Sequence, residues 1–226
     1  MDYKRILVIG DMHGNFERLL SVFRKTKWNN DEDFLILLGD YVDRGPENMR
    51  CLRWAMEMST KKNVVALRGN HEEMMLAYYL AEQDSYIWLP NGGDKTKREL
   101  DEWQKTDPDA KKKVLMFIAE RPYYHKMTVN GETYIFCHAG LKPNVPFEEQ
   151  TTEDLLWIRE EFYREYKGKE KVVVGHTPVQ YLIGGFKSDG KPLKLNNIIL
   201  MDTGSFLPNG HISCMDIISG QIWQSD

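Results

Sequence analysis

Residues 6–14 read ILVIGDMHG: an apolar, largely β-branched run passes directly into Gly10-Asp11-Met12-His13-Gly14. A short apolar run of this kind fits a strand buried on both faces, as in a parallel sheet. The arrangement returns twice at nearly equal intervals, as FLILLGDYVDRG over 34–45 and VVALRGNHE over 64–72. Two later runs end the same way, TYIFCHAG over 133–140 and VVVGHT over 172–177. Open α/β sheets bind ligands in the crevice outside the carboxyl ends of their strands. Five polar clusters on five strand ends therefore predict one shared site.

The segments between these runs supply the crossovers. Phe16, Leu19, Leu20 and Phe23 are at helical spacing and predict an amphipathic helix to about Lys27. Leu52, Ala55 and Met56 face inward on a second helix, with Pro46 expected in its first turn. Right-handed crossovers make the resulting β-α-β-α-β unit a parallel sheet. From Glu72 to Lys126 the strand rhythm stops, and helical stretches near 73–82, 95–104 and 109–119 read as an insertion beside the site. Strands then predominate, beginning with a hairpin at Asn130-Gly131 and continuing through 172–174, 198–201, 211–217 and 221–223. The polar stretch 187–197 reads as a loop or hairpin lining an opening. The expected fold is α/β: two packed mixed β-sheets flanked by helices, with a helical insertion, in a single domain spanning residues 1–226.

Composition narrows the function. The chain has 226 residues, 42% hydrophobic and 28% charged, the make-up of an ordinary globular domain. A net charge of −4 offers no broad basic surface, so nucleic acid is not expected as a partner. Cys51, Cys137 and Cys214 are an odd set without metal-type pairing and read as reduced thiols, which implies a cytoplasmic protein. Cys137 and Cys214 lie in strand-like runs as small core residues. No signal peptide and no apolar run of roughly 18 residues is present, so no membrane association is expected.

The strand-end residues are metal-ligand types. Side chains at i and i+2 of an extended segment point the same way, so Asp11 and His13 can reach one ion. Asp40, from the adjacent strand, has two oxygens and can bridge two cations. Asn70, His138 and His176 complete a second ion. This mixed nitrogen and oxygen set suits manganese, iron or zinc, not calcium, and the absence of thiolates argues against structural zinc.

The ordered set G-D-x-H-G, G-D-x-V-D-R-G, G-N-H-E, H-A-G and G-H-T resembles the metallophosphoesterase superfamily. Within it, the resemblance is to the serine/threonine phosphoprotein phosphatases of compact bacterial and phage type. Asn91-Gly92-Gly93 with Thr96, and Asp202-Thr203-Gly204, resemble further segments of those proteins. The resemblance implies a calcineurin-like metallophosphoesterase fold and the same six metal ligands. It implies two divalent ions, manganese in vitro with iron or zinc as alternatives, and attack on phosphorus by a metal-bridging hydroxide. His71 matches the general acid and Asp43 the carboxylate that orients it. Arg44 and Arg159 match two guanidinium clamps on the phosphate, where bidentate geometry favours arginine. Arg159 also reads as part of a solvated helix face with Arg164, and Asp43–Arg44 as a loop ion pair.

The implied activity is a metal-dependent phosphomonoesterase acting on phosphoserine and phosphothreonine, with phosphotyrosine also open. Its expected partner is a phosphorylated protein or peptide. The alternatives are a symmetrical dinucleoside tetraphosphate hydrolase with the same metal core, and a non-catalytic scaffold. The acidic residue Asp43 beside Arg44 favours the protein phosphatase, and six intact candidate ligands with His71 argue against the scaffold.

Overall fold

The computed structural model describes residues 3–80, 85–182 and 189–226. The expected parallel unit is present: β1 (Arg5–Ile9), α1 (Phe16–Thr26), β2 (Asp33–Leu37), α2 (Asn48–Met58) and β3 (Val64–Ala66). β9 (Ser213–Asp216) runs antiparallel to β1, and β10 (Ile222–Gln224) closes that edge, giving the order β10-β9-β1-β2-β3. A second sheet is built from β4 (Tyr124–Val129), β5 (Glu132–Cys137), β6 (Lys171–Val174), β7 (Leu193–Leu195) and β8 (Ile198–Leu200), in the order β4-β5-β6-β8-β7. β5, β6 and β8 are mutually parallel.

Period-two alternation decides which layer each side chain enters. Ile6 and Val8 of β1 join Phe34, Ile36, Phe136, Val173 and Ile199 in the core between the sheets. Leu7 and Ile9 point the other way, against residues of α1, α2 and the helical insertion. Leu155 and Phe162, from α7 (Thr152–Trp157) and α8 (Glu160–Glu165), cover the outer face of the second sheet with Cys137 and Val172. The fold is the expected pair of packed mixed sheets flanked by helices. All three cysteines are free and buried. No described helix is long and apolar enough to cross a membrane.

The insertion comprises α3 (Asn70–Leu80), α4 (Ser85–Trp88), α5 (Gly93–Thr106) and α6 (Ala110–Ala119). α3 begins at Asn70, ahead of the expected 73, so Asn70 and His71 occupy a helical first turn. α2 begins after Pro46, which therefore lies outside the helix. The start is set by Glu99 of α5, whose Oε1 and Oε2 accept from Asn48 Nδ2 and the Met49 N–H at 2.6 and 2.8 Å. The expected hairpin at 187–197 is present in part as β7, antiparallel to β8. Its turn at Asn196-Asn197 precedes β8 and lies at the end of the sheet away from the site, whereas residues 189–192, ahead of β7, lie at the end of β8 that points towards it. Residues 183–188, including part of that stretch, lie outside the described residues.

Candidate metal centre

The carboxyl ends of β1, β2, β3, β5 and β6 converge, and every residue chosen from sequence as a metal ligand is buried there. Asp11, His13, Asp40, Asn70, His138 and His176 are each under 5% exposed. Nine described non-glycine residues have positive φ, and five are candidate site residues: His13, Asp40, Asp43, Arg44 and His176. Left-handed backbone is costly for such side chains and persists only where the surroundings over-determine it. The concentration of this strain in one crevice marks the crevice as functional.

Asp40 is the hub. Its Oδ1 lies 3.4 Å from His138 Nε2 and accepts the His71 backbone N–H at 3.0 Å. Its Oδ2 lies 3.6 Å from His13 Nε2 and 3.9 Å from His71 Nε2. Ligand atoms of Asp11, Asp40 and His138 lie within 4.8 Å of one another, as do those of His13, Asp40 and His71. Burial pushes Asp40 towards its neutral form, but His138, His71 and His13 outweigh it and hold Asp40 well below the usual carboxylate range. Asp11 is raised, first by burial and then by the carboxylates of Asp202 and Asp40.

The backbone fixes how each imidazole presents itself. His13 Nδ1 is 3.1 Å from the Val42 carbonyl and His138 Nδ1 is 2.9 Å from that of Leu38. A carbonyl only accepts, so Nδ1 carries the proton in both rings and the Nε2 lone pair faces the crevice. In His176 the roles are exchanged: Nε2 is 3.2 Å from the Trp157 carbonyl, which leaves the Nδ1 lone pair facing inward. That lone pair and the one on His138 Nε2 lie 2.9 and 2.8 Å from the same atom, Asn70 Oδ1. With those tautomers, three acceptors face one another with no proton between them. A cation satisfies all three, and orientation of ligating histidines by backbone carbonyls is the usual supporting arrangement. The donor set therefore fits divalent metal ions, and neutral histidines are what they need. Burial lowers His13 and His176 well below the ordinary imidazole value, in that direction, whereas at His138 burial is outweighed by Asp40 and the value is raised, an effect that a bound cation would oppose.

His71 and Asp43 are also brought together. His71 Nδ1 lies 2.6 Å from Asp43 Oδ2, which also accepts from Trp88 Nε1 at 2.9 Å. Thr96 donates its hydroxyl to Asp43 Oδ1 and accepts the Asp43 N–H at 3.0 Å. His71 Nε2 is left facing the crevice. Although His71 joins one of the metal-capable clusters, its Nδ1 contact with Asp43 is the geometry of an oriented proton donor. Arg44 reaches in from the same loop: Nη1 is 2.8 Å from His13 Nε2, and its guanidinium lies over the Phe206 ring at 4.4 Å. Phe206 meets the edge of His13 at 5.1 Å. Arg159, an exposed residue just ahead of α8, turns its guanidinium towards the crevice and donates from Nη1 to the His176 carbonyl and Thr177 Oγ1, both at 3.1 Å. That placement removes it from a solvated helix face shared with Arg164.

Sequence reasoning did not assign several supporting residues. Trp88 carries no motif. Thr96 and Gly92 lie in a segment whose sequence gives no sign of its target, yet a Cβ on Gly92 would fall 2.6 Å from the Arg44 nitrogen, so that segment packs directly on Asp43-Arg44. Glu72, the last residue of its motif, is fully buried and accepts four backbone N–H groups: Oε2 from Asp40 and Gly69 at 2.8 and 3.0 Å, Oε1 from Tyr41 and Val42 at 2.8 and 3.4 Å. Glu72→Gln must turn an NH2 group against two of those donors. The expected loss of stability is about 2–4 kcal/mol by denaturant melting, since each buried group left unsatisfied costs about 1–3. A loss below about 0.5 kcal/mol would show that the carboxylate does not brace the loop.

Comparison with known proteins places the chain in a family. Residues 4–212 match the family model described as calcineurin-like phosphoesterase. Serine/threonine-protein phosphatase 1 of Salmonella typhimurium is 29% identical over 211 residues, 90% of this chain and 88% of that protein. The asymmetrical bis(5'-nucleosyl)-tetraphosphatase PrpE of Bacillus cereus is 26% identical over 88% of this chain and 85% of its own length. A crystal structure described as a putative diadenosine tetraphosphatase shares the fold with a TM-score of 0.67 at 20% identity. The match covers 97% of this chain and 92% of that one.

Proposed function

The chain belongs to the calcineurin-like phosphoesterase family, and from that premise we propose that this hydrolase removes phosphate from phosphoserine and phosphothreonine in proteins, with phosphotyrosine as a further substrate. Residues 1–226 act as one domain. Asp11, His13 and Asp40 would hold one divalent ion, and Asp40, Asn70, His138 and His176 would hold the second. When bound, such ions polarise the phosphoryl group and supply a nucleophile from water at neutral pH. Manganese, iron and zinc all suit this donor set.

The chain's own residues do the rest. Arg44 and Arg159 donate to the phosphoryl oxygens, and their planar forks fix the orientation of the group. His71 Nε2–H hands a proton to the departing oxygen while Asp43 holds the opposite ring nitrogen. The single observation that carries the substrate class is this His71–Asp43 contact of 2.6 Å. An alkoxide leaving from serine or threonine is strongly basic and needs a proton as the bond breaks. A nucleotide leaving from a polyphosphate departs as a stable anion and needs none.

The dinucleotide reading has the 26%-identical Bacillus cereus relative in its favour, although that protein is asymmetrical in its cleavage and the sequence reading pointed to symmetrical hydrolysis. One assay separates the two. With manganese loaded, kcat/KM for phosphoserine and phosphothreonine peptides is expected to exceed that for diadenosine tetraphosphate more than tenfold. Chelation is expected to abolish turnover. A more active dinucleotide keeps the metal centre and removes the proposed substrate. Because ions bind only the folded site, manganese at about a hundred times its Kd should add about 2.7 kcal/mol of stability. An unchanged melting temperature on adding manganese argues instead for a scaffold.

A further inference from the structure

A sixth strand end enters the centre, and its acidic residue has no part in the assignments above. Beyond β8, the Met201 N–H donates to the Val174 carbonyl at 2.7 Å, which carries β8 on alongside β6 for one more residue. A Cβ on Gly10 would lie 2.5 Å from the Met201 carbonyl oxygen, so the end of β1 presses on the same point. The residues that follow are Asp202 after Met201, His176 two after Val174, and Asp11 after Gly10. The His176 backbone N–H donates to both Asp11 oxygens, at 3.1 and 3.0 Å.

Asp202 is 1% exposed. Its Oδ1 accepts the Gly204 N–H at 2.8 Å, but its Oδ2 is buried with no hydrogen-bond partner among the described residues. The charged groups that act on it include Asp40, Arg44 and His138, all members of the centre. An unpaired carboxylate oxygen is expensive to bury, and more so beside the two buried carboxylates Asp11 and Asp40. Asp202 is not in either cluster whose ligand atoms lie within 4.8 Å of one another. Asp202 therefore adjoins the centre with one carboxylate oxygen left unpaired among the described residues.

We propose that Asp202 is a positioning residue of the metal centre: its free Oδ2 accepts a hydrogen bond from a water on the ion held by Asp11 and His13. The inference rests on the reading of this crevice as a two-metal site. It assigns Asp202-Thr203-Gly204 a purpose: the turn at Gly204 satisfies one carboxylate oxygen and leaves the other free. A divalent ion nearby offsets the charge that the protein leaves uncompensated, so Asp202 costs stability without metal and tightens the site with it.

The test is manganese binding to full-length Asp202→Asn protein, followed by equilibrium dialysis and the electron paramagnetic resonance signal of free Mn(II). Loss of an outer partner of this kind typically weakens metal binding 10–100-fold. One of the two equivalents is expected to weaken by that factor and the other to stay within twofold. The metal-free variant should melt at the same temperature as wild type or higher, because an uncompensated charge has gone. Two equivalents bound with wild-type affinity overturn the proposal. So does a lower metal-free melting temperature with unchanged affinity, which would make Asp202 a brace of the 202–204 turn. Asp202→Ser carries the same test if the asparagine variant does not fold. Turnover is not the readout, so the fate of the proposed reaction is separable: two manganese ions bound without phosphomonoester hydrolysis remove that reaction alone.

Discussion

Asp40→Asn protein is expected to lose more than a thousandfold in kcat/KM and to bind at most one manganese ion tightly. Asp40 is the residue whose two oxygens serve opposite sides of the crevice, Oδ1 towards His138 and Oδ2 towards His13. An amide keeps the shape and one acceptor but loses the negative charge that draws two cations together. The substitution is also conformationally clean. Asp40 sits at φ +52, in the left-handed region, and asparagine is among the few residues that tolerate it. The retained amide oxygen can still accept the His71 N–H, now made to Oδ1 at 3.0 Å. Metal-free stability should fall as well, because His138, His71 and His13 lose the anion that they stabilise, so manganese binding and melting are read beside turnover. A thousandfold corresponds to about 4 kcal/mol of transition-state stabilisation, the scale on which metal-ion catalysis operates. Two manganese ions bound with wild-type affinity, together with an activity loss under tenfold, would sink the two-metal assignment.

What the sequence disclosed and what it withheld follow from range. The strand ends were legible because each polar cluster is contiguous with the apolar run that buries it, so position along the chain and position in space coincide. Asp11, Asp40, Asn70, His138 and His176 could be placed together for that reason. Helix starts were less legible. α2 waits for Glu99, and that partner is about fifty residues away, which no local rule at Pro46 could report. The supporting layer was hidden in the same way. Trp88 donates to Asp43 across 45 residues, and Phe206 stacks on Arg44 from a loop after the last parallel strand. Single aromatic residues of this sort have no pattern of their own, and only the fold gives them a neighbour. The stretch 187–197 was legible only in part: polarity marks a surface, but does not divide it between the turn at 196–197 at one end of the sheet and residues 189–192 at the other.

Replacement of His71 by asparagine is expected to show which bond this centre breaks. Loss of a general acid typically costs 10²–10⁴-fold, and the cost scales with the basicity of the leaving oxygen. For a phosphoserine peptide, His71→Asn should lower kcat by about 10²–10³-fold with KM little changed, since the proton matters only as the bond breaks. For 4-nitrophenyl phosphate, whose phenolate leaves readily without a proton, the loss should stay within about tenfold. Asp43→Asn should follow the same pattern at smaller amplitude. Asp43 accepts at once from His71, the Trp88 indole and the Thr96 hydroxyl, so an amide must set its NH2 against one of these donors and let the imidazole swing. The contrast between substrates distinguishes the acid from the alternative role that the geometry offers His71. With Nε2 only 3.9 Å from Asp40 Oδ2, His71 could serve as a metal ligand. In that case His71→Asn would depress both substrates equally and lower manganese affinity as well. Equal losses on the two substrates with weakened metal binding would move His71 into the ligand set and leave the departing oxygen without a proton donor. Unequal losses with intact metal binding would establish His71 as the acid and Asp43 as the residue that aims it.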